Sequence, residues 1–232
     1  MTGLSGAAWA QVNLVLNPSF ESGAIAPNWT VVTNGSGRAR AVPAGAALFY
    51  LVAPALLVGN GTDEAVIDQS SPSTTILYQN VVLPANNKIT AQVTVAFISH
   101  SQNVATDFYR VDIVQAVPAT VALGTTATNS AATFAAGVLQ TLYLQGSTTG
   151  SVASVDTAQF DISALAGQTI RIRAVINAEF NNTEGVLDNV RILATPLSAV
   201  STPTLSEWSL IFLALLLAGA GSLYANRMRS VR

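Results

Sequence analysis

A chain of 232 residues that is half hydrophobic, only 9% charged and close to neutral at −2 has room for one large β domain or two small ones and can bury a substantial core. Lys88 is its single lysine and no basic run exists to neutralise phosphates, which argues against nucleic-acid binding. The absence of cysteine removes disulfides, thiolate catalysis and zinc-thiolate sites together.

Residues 1–10 are apolar and rich in small side chains, and Ala8-Trp9-Ala10 has the A-x-A form that signal peptidase reads. They are expected to be the remnant of a signal peptide, with Gln11 as the mature N-terminus. From there to residue 192, short apolar bursts are separated by turn residues, a β-rich pattern. Residues 88–97 (KITAQVTVAF) and 169–176 (TIRIRAVI) alternate polar with apolar. In the second, Arg171 and Arg173 share one face and the isoleucines the other. Residues 108–114 and 138–144 are two further predicted strands, and Asn60-Gly61, Pro84-Ala85-Asn86-Asn87 and Gly167 supply turns. Many short strands without amphipathic helices predict an all-β sandwich of two antiparallel sheets. Residues 193–204 have linker composition.

The body opens with Asn17-Pro18-Ser19-Phe20-Glu21 and closes with Leu187-Asp188-Asn189-Val190. Both stretches resemble the terminal strands of the galactose-binding-like jelly roll found in many carbohydrate-binding modules of secreted glycoside hydrolases. In that family the two strands lie side by side. The resemblance implies a jelly-roll β-sandwich over residues 11–192 and one structural Ca2+ near Glu21 and Asp188. A hard cation needs six to eight oxygens, and Asn17 and Asn189 are close in sequence. Without an ion, Glu21 and Asp188 would cap turns or pair with Arg191. Asp63, Glu64 and Asp68 form a second acidic group, read as a solvated loop.

A sugar site requires aromatic platforms beside amides, carboxylates or arginines. Tyr50, in the apolar stretch 44–58, and Tyr78 and Tyr109, which alternate with polar neighbours, are the candidate ligand-binding residues. Trp29 is expected to pack inside the sandwich. The alternative is a structural or adhesive protein that kept the fold and binds no sugar. Catalysis is not expected: His100 is the only histidine, no nucleophile elbow is present and no carboxylate pair stands out.

Residues 209–225 carry no charge and are followed by Arg227, Arg229 and Arg232. As a helix, 17 residues span about 25 Å, a little under a hydrocarbon core of about 30 Å. Trp208 at one end and snorkelling arginines at the other make up the difference, and the positive-inside rule keeps the arginines cytoplasmic. A single C-terminal transmembrane helix is therefore expected. Ahead of it, Thr202-Pro203-Thr204-Leu205-Ser206-Glu207-Trp208 resembles the bacterial sorting tail with an Ile-Pro-Thr-Leu signature, a relative of the Pro-Glu-Pro tails handled by exosortase-type enzymes. Pro203, Thr204, Leu205, Ser206, Glu207 and Trp208 match it, whereas Thr202 replaces the usual Ile and Ser209 the usual Gly. Over residues 202–232 the resemblance implies inner-membrane insertion, a sorting peptidase as partner, and a place on the cell envelope or outer surface. Polysaccharide is the expected extracellular partner.

Overall fold

The computed structural model describes residues 10–44, 61–69, 73–99, 107–116, 133–135, 137–146, 150–178, 183–197 and 208–219. Among the described residues, twelve strands form two antiparallel sheets: β1 (Val12–Asn13), β2 (Thr30–Asn34), β3 (Arg38–Pro43), β4 (Asp63–Gln69), β5 (Ser73–Val82), β6 (Asn87–Ser99), β7 (Phe108–Gln115), β8 (Val138–Gly146), β9 (Gly150–Asp156), β10 (Phe160–Asp161), β11 (Thr169–Ala178) and β12 (Thr183–Pro196). One sheet has five strands in the order β2-β5-β11-β7-β8. The other has seven, in the order β10-β6-β12-β4-β3, with β1 added on β12 and β9 on β6.

Side-chain alternation builds the sandwich. On β11, Ile170, Ile172, Ala174 and Ile176 enter the core, while Arg171, Arg173, Val175 and Asn177 take the other face. Ile89, Ala91, Val93, Val95 and Phe97 do the same on β6. These inward residues meet Leu77 and Val111 from the five-stranded sheet and Ile67 and Leu187 from the seven-stranded one in a single apolar cluster. Tyr109 of β7 crosses the interior: its hydroxyl donates to the Val186 carbonyl of β12 at 3.0 Å. Gly185 makes room for that ring, since a Cβ there would lie 2.8 Å from two Tyr109 ring carbons.

The two terminal signatures lie side by side, as the jelly-roll resemblance implies. Val12 and Asn13 pair with Ala194 and Leu193, and the Val190 N–H donates to the Pro18 carbonyl at 2.9 Å. Asn13 ties the strands further, donating to the Val190 carbonyl and accepting from the Ile192 N–H. Asn17 and Asn189 both adopt positive φ, +46°, a conformation that asparagine tolerates better than most residues. Each signature thus turns at its asparagine, and at Asn189 the pairing of β12 with β6 shifts register. Trp29 is buried against Phe20, ring centroids 5.3 Å apart, as expected from the sequence.

Two boundaries differ from the sequence reading. β12 runs to Pro196, four residues into the stretch read as linker, because its end pairs with Asn87 and Lys88 of β6. Asp63, Glu64 and Asp68 are not a solvated loop; they lie on β4, which is held between β3 and β12. The tail forms a separate unit from Leu197 onward. In it, residues 208–219 are helical and expose Leu210, Phe212, Leu215 and Leu217 among others. Twelve residues rise only about 18 Å, and among the described residues no helix is long and apolar enough to cross a membrane. The rest of the span expected at 209–225 lies outside the described residues.

Candidate functional site

The outward face of the five-stranded sheet holds the most developed polar arrangement. β7 places Arg110 and Asp112 two residues apart on one face, and β11 sets Arg173 directly opposite Asp112. Asp112 is fully buried and serves both cations: Arg110 Nε lies 2.6 Å and Arg173 Nη2 3.2 Å from its Oδ2. Its Oδ1 accepts from Arg110 Nη2 at 2.8 Å and from Thr141 Oγ1 at 3.1 Å. Arg173 also donates to the Phe134 carbonyl and sits 5.8 Å from that ring's centroid. Burial pulls the Arg173 guanidinium below its ordinary pKa, and Asp112 opposes that shift. Alongside, Ile76, Phe108, Phe134 and Val175 form a small second apolar cluster, with Phe134 supplied by the 3-10 turn Thr133–Ala135.

Tyr78 borders this cluster half-buried. The Arg171 guanidinium lies over its ring at 4.1 Å, and Arg171 Nε donates to Asn80 Oδ1 at 2.9 Å. Tyr78 is therefore a support for Arg171 on that side rather than an open stacking platform. Tyr109 corrects the sequence reading outright. It is fully buried in the core, stacked on Phe97 at 5.9 Å, so it shares no groove with Tyr78. Tyr50 lies outside the described residues, as does His100.

The seven-stranded sheet carries a different outward face. Glu64 and Asp68 of β4 and Glu184 and Asp188 of β12 are all buried there, beside Arg38 and Arg40 of β3. Glu184 stands opposite Asp68, and Asp68 opposite Arg38. Burial, with Asp68 and Glu64 adding repulsion, raises the Glu184 carboxyl to about 8. Burial likewise raises Asp68 to about 6, with Arg40 and Arg38 pulling the other way. Sequence reasoning put Arg171 and Arg173 on one face but missed Arg110 and Asp112 beside them and the whole acidic face of β4 and β12. The available signals were Arg-x-Asp on β7 and the i, i+4 acids of β4, whose even spacing keeps one face of a strand.

The expected calcium ligands, Glu21 and Asp188, both accept hydrogen bonds from backbone N–H groups. Glu21 uses both oxygens on the turn before β4: Oε2 accepts from Thr62 Oγ1 at 2.7 Å and from Thr62 N at 3.0 Å, and Oε1 from Asp63 N at 3.2 Å. These bonds lower its pKa, the Thr62 backbone bond most. Asp188 Oδ1 accepts from the Asn189 N–H at 2.6 Å. Arg191 donates to Asn189 Oδ1 at 2.9 Å. Among the described residues no group of three or more His, Cys, Asp or Glu is placed to hold a metal ion.

Pro203, Thr204, Leu205, Ser206 and Glu207, and beyond the helix Arg227, Arg229 and Arg232, lie outside the described residues; Trp208 is the first residue of the described helix. Comparison with known proteins gives three results. No curated protein matches the chain. Several solved structures are similar to the chain at low identity. TmCBM61 in complex with β-1,4-galactotriose is 14% identical over 78% of this chain and 97% of its own, at a TM-score of 0.47. The K1 cleaved adhesin domain of Lys-gingipain from Porphyromonas gingivalis is 11% identical over 82% and 99%, at 0.45. A cyclase from Fischerella sp. is 17% identical over 82% and 98%, at 0.44. Likenesses of this strength assign no activity. Residues 201–229 match the IPTL-CTERM motif, so the chain is a β-sandwich followed by an IPTL-type C-terminal tail.

Proposed function

We propose that the protein is exported, inserted through residues 209–225 in the inner membrane, and sorted to the cell surface, where its sandwich binds polysaccharide without catalysing a reaction. The observation that carries the reading is the IPTL-CTERM match at residues 201–229. The uncharged stretch 209–225 and the arginines at 227, 229 and 232 support it. Recognition by an exosortase-type peptidase follows from the same tail. For the ligand, the terminal Asn17–Glu21 and Leu187–Val190 signatures support a carbohydrate-binding module, and Arg171, Tyr78 and Asn80 offer polar groups on one sheet face. Two measurements test this. Mass spectrometry of the mature C-terminus on surface protein is expected to find the chain ending before residue 209; recovery of the whole chain from the cytoplasm refutes export. A glycan array with the detergent-solubilised full chain is expected to show binding at millimolar sugar.

One observation favours a second reading. Trp29, Phe108, Tyr109 and Phe134 are all buried, and Tyr78 is covered by Arg171. A sandwich whose described aromatics are spent on packing serves as a structural or adhesive surface module. An empty glycan array decides for it.

A further inference from the structure

Charge is segregated between the two sheets. The strands of the five-stranded sheet hold three arginines, Arg110, Arg171 and Arg173, and one carboxylate, Asp112. Those of the seven-stranded sheet hold seven carboxylates and four basic residues. All three arginines alternate with core residues, so they share the outward face.

Their commitments differ. Arg110 and Arg173 are both engaged by Asp112. Arg171 meets no carboxylate within ion-pair distance among the described residues. Its Nε is fixed by Asn80 and one face of its plane by the Tyr78 ring. A guanidinium has five N–H donors in a rigid fork, so these contacts leave the Nη edge for a ligand. Asn80 and Thr169, its neighbours across and along the sheet, are exposed, and Arg171 itself keeps 9% of its surface. The cation is thus mostly desolvated, oriented before any ligand arrives, and short of a negative partner. Leaving a largely buried charge in that condition is costly, and an incoming carboxylate removes the cost with two parallel charge-assisted bonds.

We propose that Arg171 selects acidic polysaccharides, its Nη edge pairing with the carboxylate of a uronate residue held at the exposed Asn80–Thr169 end of the five-stranded sheet's outward face. This rests on the glycan-binding reading above and names the class of glycan. Asn80 and Tyr78 act as positioning residues, holding the fork at a fixed angle. The acidic seven-stranded sheet repels the same polyanion, so the ligand is steered to one face.

The test uses the detergent-solubilised full chain with polygalacturonate, its fully methyl-esterified counterpart and an array of neutral glycans. Wild type is expected to bind polygalacturonate at least about tenfold more tightly than the ester, as a charged hydrogen-bonded contact commands, and to lose binding between 50 and 500 mM NaCl, both salt values being approximate settings around the screening range. Arg171→Gln is expected to lose about tenfold on polygalacturonate, and Arg171→Lys to recover little because an ammonium lacks the fork. Equal binding of acid and ester by wild type overturns the inference without recourse to any variant that fails to fold. So does unchanged binding by Arg171→Gln. Binding of neutral glycans alone overturns this inference and leaves the glycan reading standing, whereas binding of no glycan at all overturns both.

Discussion

Glu184 on β12 and Asp68 on β4 are direct cross-strand partners, and both are buried, at 1% and 3% exposure. Both Glu184 oxygens and Oδ2 of Asp68 lack a hydrogen-bond partner among the described residues. Facing carboxylates repel across a sheet, and a buried one prefers its proton.

Stability should therefore fall as the pH rises. Both carboxyls bind a proton more tightly in the folded state, with pKa values raised from 3.8 to about 6 and from 4.5 to about 8. Their favourable contribution is complete below the unfolded values and is lost as the pH climbs through the folded ones. Each tenfold in proton affinity is worth about 1.4 kcal/mol. Glu184→Gln keeps the shape and removes the titration. Unfolding in denaturant is expected to show it more stable than wild type at pH 9, by on the order of 2 kcal/mol, and nearly equal at pH 5. An identical pH slope in the two proteins would show that Glu184 is not the group responsible.

Asp112 presents the opposite charge problem. It is one buried carboxylate shared by Arg110 and Arg173, and replacing it removes the negative charge that both buried cations face. Asp112→Asn is expected to cost about 3–5 kcal/mol, because breaking a buried pair leaves uncompensated charge. Denaturant midpoints measure the loss, and a change below about 1 kcal/mol, typical of an exposed pair, would mean that water reaches this network.

Gly185 is required by a ring on the other sheet. A Cβ at that position would lie 2.8 Å from Tyr109 Cδ2 and Cε2, and the ring is fixed by its bond to Val186 and its stacking on Phe97. Gly185→Ala is expected to cost about 1–3 kcal/mol by overpacking. Combined with Tyr109→Leu it should cost less than the two changes summed, since residues in contact couple. Additive losses in a thermal double-mutant cycle would place the strain elsewhere.

The contrast between these sites explains what the sequence revealed. Alternation in residues 88–97 and 169–176 was enough for strands and their core faces, because β6 and β11 are central and a one-residue slip would turn the isoleucines outward. The terminal signatures were legible for a local reason: Asn17 and Asn189 supply turns that few residues supply as well. Tyr109 was misread because polar neighbours in a strand normally mark an exposed face. Here Arg110 and Asp112 neutralise one another on a buried outer face, leaving Tyr109 to the core. The acids of β4 were misread for a similar reason. Their pairing with β3 and β12 is long-range, and nothing within residues 63–68 announces that a sheet will enclose them. The Arg171–Tyr78 contact joins two strands some ninety residues apart in the chain, beyond any local pattern.

Glu21 provides the last test, on the segment where the jelly-roll resemblance implies calcium. Its carboxylate takes two bonds from the backbone N–H groups of Thr62 and Asp63 and one from the Thr62 hydroxyl. Gly61 fits beneath it at φ +123°, where a Cβ would fall 1.9 Å from Oε1. The clamp therefore depends on a charged carboxylate and a glycine, and its oxygens already have donors. A depressed pKa means that the contribution of Glu21 is present above the unfolded value of 4.5 and is lost as the pH falls through the folded one. Amide exchange at Thr62 and Asp63 is expected to be slow at pH 7 and, corrected for intrinsic rates, to lose protection in Glu21→Ala and at low pH alike. Chelation is expected to leave that protection and the melting temperature unchanged. A calcium-dependent rise in Tm that disappears in Asp188→Ala would show instead that the two carboxylates turn toward a shared ion.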